Sequence, residues 1–161
     1  MKSYEIPYSD KLIIRKFARA CECSVYYFKV YPLDFIKVVL NDDIFDNFFN
    51  RLDIFSQSDI YVVRSFLESN QGNIPFECDV DFLDEDIEYF RKVAHWTGYL
   101  LMSWKRMKNI NGKGILKYDL ERIILSYPVL HTQSIDYAID FIKKEYKVAE
   151  DPTPSQHNGN R

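Results

Sequence analysis

Apolar residues along this chain recur at steps of three and four far more often than at steps of two, which is the spacing of helices. The longest such segment runs from Asp84 to Asn109. Ile87, Phe90, Ala94, Thr97, Leu101 and Trp104 form one stripe, and Tyr89, Val93, Trp96, Leu100, Ser103 and Met107 form a second beside it. Two adjoining stripes leave a helix apolar or small over most of its circumference, so the segment predicts a rod buried among other helices. The remaining seam holds Glu88, Lys92, His95, Tyr99, Met102 and Arg106. Gly98 sits mid-rod, where glycine costs about 1 kcal/mol relative to alanine. A close crossing by another helix would explain it; a kink is the alternative.

Shorter elements surround this rod. Ser9 predicts an N-cap for a helix from Asp10 to about Cys21, with Ile13, Phe17, Ala20 and Cys21 on one face. The β-branched and aromatic run "CSVYYFKVYP" is the one strand candidate, with a buried extended connector as the alternative. Pro32 suits the first turn of a second helix carrying Leu33, Ile36, Val39 and Leu40 inward. Ile44, Phe45, Phe48, Phe49 and Leu52 predict a third, and Ser58 caps a fourth with Ile60, Val63, Phe66 and Leu67. After "NINGKG" ends the rod, Asp119–Tyr127 reads as a short helix stopped by Pro128. Thr132 or Ser134 caps the last helix, whose apolar side is Ile135, Ala138, Ile139, Ile142 and Tyr146. The expectation is one all-α domain, residues 1–147, of six or seven helices packed on the 84–109 rod. A disordered tail, residues 148–161, is expected to follow, because "AEDPTPSQHNGNR" has no apolar content to bury.

Composition narrows the function classes. At 161 residues the chain can bury a core without a metal or disulfide staple. Its 12 Tyr, 12 Phe and 2 Trp exceed what a core needs and leave aromatics for a contact surface. A net charge of −3 gives no global attraction for nucleic acid or anionic lipid. Cys21, Cys23 and Cys78 cannot all pair with one another, and C-x-C spacing without a second ligand pair makes no metal knuckle. They read as free thiols of a reducing compartment. The N-terminal apolar run, Leu12–Ile14, is too short for a signal-peptide core, and no run approaches the ~20 residues of a membrane span. A cytoplasmic location is expected.

Candidate chemistry is sparse. His131, in the bend after Pro128, is read first as a chain-turning residue that bonds an exposed helix end, and second as a general base or part of a contact patch. His95 lies on the polar seam one turn from Lys92 and Tyr99, and is read first as a solvated or tertiary-bonded side chain. Neither H-E-x-x-H nor E-x-x-H spacing occurs, and no nucleophile elbow accompanies either histidine, so no metal, cofactor or catalytic residue is assigned. Charge is segregated: "ECDVDFLDEDIE" holds seven acids, whereas Tyr89–Tyr118 holds seven Lys/Arg and no acid. The helix dipole accounts for this, with acids at the start of the rod and bases at its end. The acidic run lacks the central glycine of a Ca²⁺ loop. The basic set Lys105, Arg106, Lys108, Lys113 and Lys117 is the alternative basis for nucleic-acid binding. "NGKG" lacks P-loop spacing.

One stretch carries a family likeness. In "YDLERIILSYPVLHTQSIDYAIDFI", Leu130, His131, Thr132, Gln133, Tyr137 and Asp140 resemble the Leu-His-Thr-Gln signature and following helix of a small bacterial helical family encoded beside ADP-ribosyltransferase-like toxins. The segment "EYFRKVAHWTGYLLMSW" also resembles a Gly-Tyr aromatic helix of related gut-bacterial proteins. The resemblance covers about a third of the chain. It implies an accessory or antitoxin-like binding protein and carries over no catalytic residue. The expected function is therefore non-enzymatic protein–protein interaction. Its expected contacts are Trp96, Tyr99, Trp104 and Tyr137, with His131 and Gln133 at the rim and a neighbouring gene's product as partner. Two alternatives stay open: nucleic-acid binding through the basic set, and an enzyme in which His95 or His131 meets a carboxylate or a nucleophile in a pocket.

Overall fold

The computed structural model describes residues 6–51, 53, 56–70 and 81–148, with side chains of the last stretch from residue 86 onward. The described residues form nine α-helices: α1 Tyr8–Tyr26, α2 Pro32–Leu40, α3 Asp43–Asp46, α4 Asp59–Ser69, α5 Asp81–Lys108, α6 Gly112–Ile115, α7 Leu120–Leu125, α8 Tyr127–Leu130 and α9 Ile135–Glu145. A 3₁₀ turn, Phe48–Asn50, follows α3. The count exceeds six or seven because α3, α6 and α8 are single turns that pattern reading merges into loops or neighbours. The expected third helix is thus α3 plus the 3₁₀ turn, and Leu52 lies outside the described residues. Among the described residues the only β pairing is an isolated antiparallel bridge between Tyr118 and Lys147. No helix there is long and apolar enough to cross a membrane.

The rod is α5, continuous through Gly98. From Val93 to Trp104 it is buried except at His95 and Tyr99. Met102, assigned to the polar seam, is fully buried, because other elements cover the rod on that side too. The most extensive helix–helix contact is between α1 and α5. Gly98 explains how close it is. A Cβ added there would stand 2.7 Å from Cys21 Sγ and 3.2 Å from the Ala18 Cα. The glycine therefore marks a crossing of two backbones.

α1 is longer than expected at both ends. It begins at Tyr8 with Pro7 as N-cap, so Ser9 lies inside the first turn, and the Pro7 carbonyl accepts the Lys11 amide at 3.0 Å. At the other end the strand candidate is helical through Tyr26 and becomes a connector only from Tyr27. Burial overrides β-propensity here: Val25 is fully buried, and Ser24 Oγ donates to the Cys21 carbonyl at 2.7 Å. Lys29, at φ 60°, turns the chain toward α2.

Phe17 on α1 is the hub of the aromatic core. Its ring meets Phe45, Phe48 and Phe66 edge to face at 5.6, 5.4 and 6.1 Å, and so joins α1 to α3, the 3₁₀ turn and α4. Ser58 caps α4 and Ser134 caps α9, as their positions predict. Asn109, at φ 52°, ends α5 in the left-handed conformation that asparagine tolerates. Cys21 and Cys23 are buried free thiols; Cys78 lies outside the described residues. Val148, expected to begin the disordered tail, is held instead, its amide donating to the Lys117 carbonyl at 3.1 Å. The rest of the expected tail, 149–161, lies outside the described residues.

Candidate functional site

The α1–α5 crossing sets the geometry of a cleft beside it. Glu22 follows Cys21 on α1, and His95 precedes Gly98 by nearly a turn on α5. The close crossing brings them together: His95 Nδ1 lies 3.1 Å from Glu22 Oε1. Arg91, one turn earlier, donates from Nε and Nη2 to Glu22 Oε2 at 3.0 and 2.8 Å. Its Nη1 reaches Glu88 Oε2 at 3.1 Å, and the guanidinium lies 4.4 Å from the Tyr26 ring centroid. Both oxygens of Glu22 are therefore engaged. Because a carboxylate only accepts, Nδ1 of His95 carries the hydrogen, leaving Nε2 with no hydrogen-bond partner among the described residues.

The opposite wall comes from α8. Ser126 and Pro128 start this single turn, and His131 is its C-cap. His131 Nδ1 lies 2.7 Å from the Tyr127 carbonyl, which can only accept, so this ring too is held through Nδ1–H. The imidazole stacks on Tyr127 at 4.3 Å and 17°. Tyr127 in turn meets Trp96 and Tyr89 edge to face at 5.7 and 5.8 Å. The helix-end role first read for His131 is thus present, and it aims the residue at a cavity.

That cavity is an open cleft of about 330 Å³ lined by Glu22, Arg91, Lys92, His95, Trp96, Tyr99, Tyr127 and His131. Tyr99 is also a wall of a second cleft of about 400 Å³, which includes Lys11, Met107, Ser134 and Asp136. Among the described residues no serine, threonine or cysteine lines the first cleft. Among the described residues no group of three or more His, Cys, Asp or Glu is placed to hold a metal ion.

The expected contact set divides. Trp96, Tyr99 and His131 share the first cleft. Gln133 is exposed in the turn after α8. Tyr137 is exposed on α9, stacked with Phe141 at 6.4 Å, and lines neither cleft. Trp104 cannot be a contact residue: it is 1 % exposed and packs edge to face on Tyr118 at 4.8 Å. The apolar stripe that places Trp104 on the rod also turns it inward, an outcome the aromatic count does not reveal. Glu22, Arg91, Lys92 and Tyr127 were not singled out from sequence. Glu22 has a legible signal, a lone carboxylate between Ala18, Ala20, Cys21, Cys23 and Val25.

The basic set is partly engaged elsewhere. Arg106 donates from Nε to the buried Asp10 at 2.6 Å and covers the Phe49 ring at 5.0 Å. Burial lowers the Lys105 ammonium below its ordinary range, against the opposing pull of Asp46. Lys108, Lys113 and Lys117 are exposed. No protein-family model, curated protein or solved structure matches the chain.

Proposed function

We propose that this is a recognition protein that binds another protein through the face carrying the α1–α5–α8 cleft. The observation that carries this is the cleft itself. Its aromatic and imidazole walls are fixed by Nδ1 hydrogen bonds and ring packing before any partner arrives, and preorganised aromatic anchors of this kind are where binding energy concentrates. Its mouth is open, and its volume is at the low end for a site that encloses a whole small molecule, roughly 300–1,000 Å³. In its most specific form, which the toxin-associated likeness of residues 118–142 implies, the protein is an antitoxin-like partner that occludes a neighbouring gene's product in the cytoplasm.

Mixing the purified protein with that product tests this. One co-eluting complex in size-exclusion chromatography, lost on Tyr99→Arg, is the expected result. Separate elution of the two proteins contradicts it.

A second reading is favoured by one contact. The Glu22–His95 pair has the base–orienter geometry of acid–base catalysis, in a pocket with both histidines. The outward opening of the cleft weighs against it. Nucleic-acid binding is supported less well, because Arg106 is tied to Asp10.

A further inference from the structure

Three features bear on what enters the cleft. The first is charge. Glu22, the one carboxylate lining the cleft among the described residues, has both oxygens engaged by Arg91 and His95. It therefore offers little to a cationic ligand. Lys92 is exposed and makes no ion pair among the described residues, while the Nε2 atoms of His95 and His131, bare when Nδ1 carries the hydrogen, are acceptors without a partner there. The free Lys92 ammonium thus favours an anion, and the two imidazole acceptors favour N–H donors beside it. The second is shape. Trp96, Tyr99 and Tyr127 with the stacked His131 present ring faces and edges suited to a planar ring. The third is continuity. Tyr99 joins this cleft to the second one, and Arg91 over Tyr26 and Tyr89 beside Tyr127 extend an aromatic surface past the rim. Tyr26 and Tyr89 are 38 % and 45 % exposed. A compact metabolite would leave that surface unused, whereas an extended chain would cover it.

We infer that the partner's inserted element is an extended segment carrying an aromatic side chain flanked by carboxylates. The ring seats against Trp96 and Tyr127, a flanking carboxylate meets Lys92, and the bare imidazole nitrogens accept from backbone N–H groups of the segment. The inference rests on the recognition reading and deepens it.

The test uses the full-length protein and a synthetic probe, acetyl-Gly-Asp-Phe-Asp-Gly-amide, with binding followed by calorimetry. Saturable binding in the micromolar to millimolar range is expected. Exchange of both acids for lysine, or of the aromatic residue for alanine, should weaken it at least fivefold. Lys92→Glu should do the same while leaving the thermal unfolding midpoint unchanged. Equal binding of the lysine peptide, no effect of Lys92→Glu, or no binding at millimolar probe overturns the inference. Tighter binding of phenyl phosphate than of the peptide also overturns it, in favour of a small aromatic anion. If the partner complex forms but resists excess peptide and Lys92→Glu, the inference fails and recognition through another part of the face stands. If neither partner nor peptide binds, both fall.

Discussion

Replacing Gly98 by alanine should destabilise the protein, although alanine is the better helix former. Inside a helix the exchange by itself stabilises by about 1 kcal/mol. The new methyl, however, would stand 2.7 Å from Cys21 Sγ, 3.1 Å from Cys21 Cβ and 3.2 Å from the Ala18 Cα. A rotamer change relieves only the first of these. The other two atoms move only if α1 moves, and overpacking of this kind costs about 1–3 kcal/mol. The net expectation is a loss of about 1 kcal/mol, or roughly 2–4 °C in Tm for a domain of this size. Urea unfolding followed by tryptophan fluorescence measures it. Cys21→Ala in the same chain removes the shortest contact, so the double variant should recover about half of the loss. Because Glu22 and His95 flank the crossing, Gly98→Ala should also weaken binding at the cleft. A Gly98→Ala protein more stable than the parent by the full helix gain, with no coupling to Cys21, would refute the close crossing.

Other outcomes follow from the core and the thiols. Phe17→Ala should cost about 3–5 kcal/mol in urea unfolding, because it empties the meeting point of four aromatic rings; a loss under about 2 kcal/mol would show that Phe17 is not the hub. At Gly112 a Cβ would run into the Leu40 carbonyl oxygen, a backbone atom, whereas at Gly114 it would meet mainly the movable Ile110 side chain. Gly112→Ala should therefore lose about 1–3 kcal/mol and Gly114→Ala clearly less; the reverse order would contradict the α2–α6 contact. Burial pushes the Cys21 thiol far above its ordinary value, and burial with nearby Asp59 and Glu22 pushes Cys23 up to about 11. At pH 8 the Cys23 thiolate is then only about 0.1 % populated, so iodoacetamide should leave both thiols unmodified in the native protein and alkylate them in urea. The unfolded chain loses these protons near pH ~9 while the native one retains them. Stability should thus fall above that pH by about 1.4 kcal/mol per unit for Cys21, and Cys21→Ala should flatten the slope.

Most of the architecture could be read from spacing, because helical patterning states which residues face inward. The rod, the close approach at Gly98, the caps at Ser58 and Ser134 and the proline at the start of α2 each follow from a local rule. The failures have physical causes. The "CSVYYF" run has strand-like residues, but the rod covers α1 along its length and makes helix the better burial. Trp104 counted as a surplus aromatic, yet its own stripe turns it into the core. The site was least legible, since Glu22 and His95 are 73 residues apart and meet only because two backbones cross. His131 could be read as a turn residue; that its ring would stack on Tyr127 and face His95's cleft required α8 to exist as a separate turn.

Amide chemical-shift mapping of the labelled protein, as the neighbouring gene's product or the acidic aromatic peptide is added, shows which face binds. Perturbations should concentrate at Glu22, Arg91, Lys92, Trp96, Tyr99 and His131. Perturbations confined to Lys108, Lys113 and Lys117, or to the exposed Leu125 and Val129, would contradict recognition through the cleft.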